Sequence, residues 1–194
     1  LAFAAQTISW IGVASTREPP TLNPKAPTPI TAYLRQLPII LKKNPNYARY
    51  LVSRSVGALG GMGSGFMIVY ANESYTITGN QVGTLTAVLI GSQAVTNLFW
   101  GYLGDRIGHQ RVLASGGACL ALASMTIWVS NAYGWLLLSF VLLGTGLAAN
   151  AVSGMNIVLE FGRAEERPTY IGLTNTSLAP ITMLAPLIGG AVSE

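Results

Sequence analysis

Charge is scarce in this sequence. Only 9% of its 194 residues are Asp, Glu, Lys or Arg, whereas 51% are hydrophobic and the mean hydropathy is +0.47. Soluble domains carry about 25% charged residues, so a soluble globular class is excluded and an integral membrane protein is indicated. Cysteine is nearly absent too. The single Cys119 rules out a disulfide within the chain and a cysteine-rich metal site. Histidine occurs once, at 109, outside every long apolar run. Ten-residue segments of alternating polarity are missing, which argues against a membrane barrel, and open strands cannot span lipid. The first residues lack an initiator Met, a charged n-region and a cleavage site, so 1–16 is read as the end of a membrane helix, with the N-terminal partner sequence expected to be missing.

What the sequence does contain is long uncharged runs, at 1–16, 55–72, 74–104, 112–159 and 168–193. A helix needs about 20 apolar residues to cross the hydrocarbon core. The run 112–159 is therefore two helices, divided by the turn residues Asn131, Ala132, Tyr133 and Gly134. The reading is an all-α polytopic membrane protein with helices at about 47–70, 81–103, 112–130, 134–160 and 170–191. Between 17 and 46 lies a Pro-rich linker, containing Pro19, Pro20, Pro24, Pro27 and Pro29. Within it, 30–43 reads either as a short amphipathic segment on the membrane surface, kinked or ended by Pro38, or as an irregular loop.

Individual helices carry patterns. Ser53, Gly57, Gly61 and Gly65 recur every four residues, a small-residue face expected to let another helix approach closely. The run Gly61-Met62-Gly63-Ser64-Gly65 lacks the lysine and the strand context of a phosphate loop. Met62 stands where a serine nucleophile elbow needs glycine. Gln93, Asn97 and Gly101 share a face of the 81–103 helix, Asn150 and Asn156 lie on 134–160, and Asn175 on 170–191. Amides are costly in lipid, so they are expected to face inward. Loops at 17–46, 104–111 and 161–168 must lie on one side and those at 71–80 and 131–134 on the other. All 11 Lys and Arg residues fall in or beside the first set, which the positive-inside rule makes cytoplasmic. The charge thus reports topology, and nucleic-acid binding loses its support. Tyr50, Tyr70, Trp100, Tyr102, Trp128, Trp135 and Tyr170 sit near helix ends, as an interfacial aromatic belt would. Arg54 is expected to snorkel to the interface rather than bind an anion.

The turn reading Gly101-x-Leu103-x-Asp105-Arg106-x-Gly108-x-x-Arg111 resembles the signature loop of the major facilitator superfamily, in the copy between helices 8 and 9. The linker resembles that family's central loop, and the helices look like the end of helix 6 followed by helices 7 to 11. The sequence departs from the pattern at His109 and Gln110, where further basic residues are common. The resemblance implies a fold of inverted repeats and a C-terminal helical bundle lacking helices 1 to 5 and 12. It implies a charge cluster in which Asp105, Arg106 and Arg111 meet Glu160, Arg163 or Arg167 and latch one state of an alternating-access cycle; the alternative is a topogenic turn with solvated charges. It also implies that Gln93, Asn97, Asn150, Asn156 and Asn175 line a substrate cavity, against the alternative of hydrogen bonding between helices.

The functional expectation is secondary active transport of a small solute by a multi-pass protein of the plasma or inner membrane, with no cofactor, metal or catalytic residue. Its partners would be that solute, a proton or other coupling ion, the bilayer and the missing half of the same transporter. No Asp, Glu or His lies at a membrane centre, so a titrating carboxylate would belong to that half. A membrane-embedded enzyme would need a nucleophile–base pair or metal ligands in the helices, and a structural or receptor role leaves the signature loop unexplained.

Overall fold

The computed structural model describes residues 2–16, 30–75, 77–162 and 165–193. Linker residues 17–29 and Arg163 lie outside them. Among the described residues there are seven helices: α1 (Ala2–Ala14), α2 (Ile30–Lys43), α3 (Pro45–Tyr75), α4 (Gly79–Ile107), α5 (His109–Trp128), α6 (Tyr133–Leu159) and α7 (Arg167–Ser193). Of these, α4, α5, α6 and α7 are long and apolar enough to cross a membrane. At 31 residues, α3 is long enough, roughly 46 Å, but it carries Arg49, Arg54 and Glu73 and is less apolar than the other four.

The helices begin one to three residues earlier than charge alone suggests, and α3, α4 and α7 also end later. The expected loop at 71–80 is mostly helix, because α3 runs to Tyr75 and α4 starts at Gly79. Thr78 caps α4: its hydroxyl accepts from the Gln81 amide at 3.4 Å, while the Gln81 side-chain oxygen accepts from the Thr78 amide at 2.8 Å. At the opposite end, Gly101, Asp105 and Arg106 belong to the last turns of α4 rather than to a loop. The segment 30–43 is a helix despite Pro38. Its Leu37, Ile40 and Leu41 pack against Tyr47, Tyr50 and Tyr170, with Lys42 and Lys43 exposed.

The bundle is built around α6. Twelve of its 27 residues are buried, against three of 29 in α4. It owes this to small residues, which allow backbones on two sides to come close. A Cβ added to Gly144 would lie 2.5 Å from the Leu89 carbonyl oxygen of α4. One added to Gly146 would lie 2.9 Å from the Gly116 oxygen of α5, and one added to Gly116 would lie 2.5 Å from the Ala149 Cβ. Trp100 fills the third corner, donating its indole N–H to the Thr145 oxygen at 2.9 Å. Away from the α4–α5 turn, Leu85, Ala123, Leu136, Phe140 and Leu143 make a core that also receives Met67 and Ala71 of α3.

The glycine face of α3 differs from the sequence expectation. Gly57, Gly61 and Gly65 are exposed, and a Cβ on any of them would meet nothing within 4 Å. The reason is that α3 packs through another face, where Tyr47, Tyr50 and Leu51 join Ile157, Val158 and Tyr170. The aromatic belt also divides. Tyr70, Tyr102, Trp128 and Trp135 are exposed, whereas Tyr50, Trp100 and Tyr170 are buried with their polar atoms bonded internally.

Close packing and open space make opposite forecasts for alanine. Gly144→Ala should destabilise the bundle by about 1–3 kcal/mol through overpacking, whereas Gly57→Ala should be neutral or stabilising by up to about 1 kcal/mol through helix propensity. Thermal unfolding in detergent, followed by intrinsic fluorescence, checks both.

Candidate functional site

The α4–α5 turn is a single residue. Gly108 has φ +93°, a backbone region that L side chains rarely adopt, and its N–H donates to the Gly104 oxygen at 3.0 Å. His109 then folds back over α4. Its Nδ1 lies 3.3 Å from the Oγ of Ser153, a fully buried serine of α6. The same ring occupies the place where a Gly104 side chain would stand, 2.7 Å from an added Cβ. The departure from the signature pattern at 109 is thus the side chain that ties the turn to α6.

The turn's charged residues are not assembled. Asp105, Arg106, Arg111, Glu160 and Arg167 are all exposed, and among the described residues Asp105 makes no ion pair. Arg106 lies over the Tyr102 ring instead, 4.4 Å from its centroid, a cation–π contact within one helix. Gly101 is half-buried in α4.

Beside this end of the bundle, α3, α5, α6 and α7 enclose an open cavity of about 1060 Å³. From α3 it takes Arg49, Tyr50, Ser53, Arg54, Gly57 and Gly61, from α5 Gln110 and Gly117, from α6 Asn150 and Glu160, and from α7 Leu178 and Thr182. The glycines expected to pack a helix therefore widen a cavity. Across it runs one polar bridge. Arg54 Nη1 donates to Asn150 Oδ1 at 2.5 Å, and Asn150 Nδ2 donates to the Gly146 oxygen at 3.1 Å. Only the amide oxygen can accept from a guanidinium, so chemistry fixes the orientation of this amide. Tyr50 donates its hydroxyl to the Gly154 oxygen at 2.8 Å. Arg54 therefore does not snorkel away: its guanidinium lies against α6, 3.4 Å from where a Gly154 side chain would begin.

Of the five amides expected in a cavity, Asn150 alone lines this one. Asn156 is half-buried and donates along its own helix to the Val152 oxygen at 2.9 Å. Gln93 and Asn97 are half-buried on α4, where the Asn97 side-chain oxygen is enclosed without a donor among the described residues. Asn175 is exposed on α7. A smaller cavity of about 810 Å³ lies between Asn44, Phe161 and Thr169, next to the contact in which Asn44 donates to the Tyr170 hydroxyl. Among the described residues no group of His, Cys, Asp and Glu is arranged to hold a metal ion.

If His109 is seated by the lack of a side chain at 104, the two positions are coupled. Gly104→Ala should destabilise the protein in the presence of His109 but much less in a His109→Ala background, with a coupling of at least about 0.5 kcal/mol in a double-mutant cycle of thermal unfolding.

Comparison with known proteins bears on what this bundle is. The human synaptic vesicular amine transporter is 30% identical over 115 residues, 59% of this chain and 22% of its own length. The riboflavin transporter RibZ of Clostridioides difficile is 30% identical over 99 residues, 51% of this chain and 22% of its own. The methyl viologen resistance protein SmvA of Salmonella typhimurium is 34% identical over 95 residues, 48% of this chain and 19% of its own. The chain thus spans about a fifth of the length of these relatives. The sequence profile of the Major Facilitator Superfamily matches residues 51–194, which includes α4 to α7, the one-residue turn and nearly all of the cavity lining, and the chain therefore belongs to the Major Facilitator Superfamily.

Proposed function

We propose that this chain is part of a secondary transporter that carries a small solute across a membrane by alternating access. Family membership and the transporter names of its relatives support membrane transport in general. The observation that carries the finer reading is the cavity of about 1060 Å³, which is lined by α3, α5, α6 and α7 and crossed by the Arg54–Asn150 bridge. An ionisable side chain within a membrane bundle marks a solute path or a polar partner, and Arg54 is such a residue here. The names of the relatives mention an amine, riboflavin and methyl viologen, a spread too wide to pass any one cargo to this chain. An enzymatic reading finds one hydroxyl–imidazole pair, Ser153 with His109, but Ser153 is fully buried and so closed to a substrate.

In this reading the α4–α5 turn faces the cytoplasm, together with the basic residues, and Asp105, which makes no ion pair among the described residues, pairs with an arginine in another state. Such a pair would bias the equilibrium between states only by the difference in its energy between them. For the exposed geometry seen here that is about 0–1 kcal/mol, so an effective latch requires the charges to become less solvated on pairing. Gln93 and Asn97 of α4, Asn156 of α6 and Asn175 of α7 remain candidate solute contacts in states where their faces border the path.

Two measurements test this reading. The full-length protein in proteoliposomes should give saturable, counterflow-sensitive solute uptake, and Asp105→Asn should alter its rate and the populations of inward- and outward-open states; uptake and populations unchanged by the substitution would remove the latch. For topology, Gln110→Cys and Asn131→Cys are placed separately in a Cys119→Ser background. A membrane-impermeant maleimide applied to intact cells should label position 131 and spare 110, and the reverse pattern would invert the proposed orientation.

A further inference from the structure

Arg54 is a cation without a counter-ion. It lies nine residues into α3, about 14 Å along the helix axis, and half of the side chain is shielded by the bundle. Among the described residues no carboxylate pairs with it. Its Nη1 is bonded to Asn150 Oδ1, and a neutral amide cannot neutralise a guanidinium. Its Nε–H is enclosed, with no acceptor among the described residues. A buried donor left unpaired costs about 1–3 kcal/mol, more when charged. A guanidinium in a membrane-spanning helix is expected to face a partner or an aqueous path. Here it faces a cavity large enough for a small organic molecule.

The lining as a whole carries a net positive charge. Among the described residues Arg49 and Arg54 are cationic against one acid, Glu160 just beyond α6, and Tyr50, Ser53 and Asn150 supply neutral polar groups. The field inside the cavity therefore favours negative charge. We infer that Arg54, positioned by Asn150, binds an anionic group, a carboxylate, phosphate or sulfonate, within the α3–α6 cavity. The planar guanidinium suits such groups because its donors match two of their oxygens at once. An amine headgroup, by contrast, would meet a like charge. That the anion belongs to the transported solute rests on the transport reading above; that the site binds anions does not.

The test is equilibrium binding to the full-length protein in phosphatidylcholine nanodiscs, with radiolabelled benzoate and inorganic phosphate as probes at constant ionic strength. At least one probe should bind saturably and resist competition by tetramethylammonium. Arg54→Gln should weaken it tenfold or more, and Arg54→Lys should retain part of the affinity. Asn150→Asp guards against a folding defect, because it sets a carboxylate against Arg54; it should leave thermal stability equal or higher while abolishing probe binding. If phosphatidylglycerol in the nanodiscs displaces the probe, the same site holds a lipid phosphate; if it does not, the site serves soluble anions. Absence of saturable binding by both probes, or undiminished binding to Arg54→Gln or Asn150→Asp, overturns the inference. Arg54-dependent binding without solute flux would keep the anion site and count against the transport reading, and flux without binding would do the opposite.

Discussion

Everything in this bundle hangs on how near α6 comes to its neighbours. Lipid offers no hydrophobic drive for two apolar helices to meet, so association must come from close van der Waals contact and interhelical hydrogen bonds. Gly144 turns one side of α6 to the Leu89 carbonyl region of α4, and Gly146 turns the other to Gly116 of α5. With both backbones drawn in, Phe140, Leu143 and Leu85 close the core on one side of this contact and Trp100, Val112, Ala148 and Ala149 on the other. The one-residue turn at Gly108 then becomes feasible, because α4 and α5 are already held against the same helix.

By comparison α3 is attached through its side chains. Tyr47, Tyr50, Phe161 and Tyr170 form an aromatic cluster with ring centroids 4.9–6.4 Å apart. The Tyr47 hydroxyl meets Thr174 Oγ1 at 3.0 Å, and the Tyr50 hydroxyl reaches the Gly154 oxygen. Interhelical hydrogen bonds in membranes average about 0.6 kcal/mol. A helix held by several such contacts can exchange them one at a time, which a backbone wedged on glycine cannot do.

Much of the helical frame was legible in the positions of the charges, since a run of apolar residues is bounded in sequence by the same residues that stop it from entering lipid. Contacts between helices were not. The spacing of Gly57, Gly61 and Gly65 announces a small face, yet says nothing about whether a helix or a void lies opposite. Gly144 and Gly146 escape a search for glycines four apart, because two residues along a helix turn to different sides, each toward its own neighbour. Arg54 and Asn150 stand 96 positions apart, and only the fold pairs them. His109 looked like a gap in a basic motif, and its role depends on a ring fitting where Gly104 has no side chain.

These two kinds of attachment divide the bundle mechanically. On one side α4, α5 and α6 are joined by backbone contact, and packing in which a single added methyl would clash leaves little room for a bistable element. On the other, α3 and α7 share their own contacts, Tyr47 with Tyr170 and Thr174, and meet α6 mainly through side-chain bonds. The cavity lies along this seam, and its polar bridge is the Arg54–Asn150 pair that crosses it. The Arg54 charge at this seam combines two properties. Its Nε–H lacks an acceptor among the described residues, which the proposed anion would supply; and it belongs to the part of the bundle held through side chains rather than backbone contact. Differential binding to two arrangements is the only way a ligand can move a conformational equilibrium, and a guanidinium borne by the looser helix and steadied by the firmer one meets that condition with a single side chain.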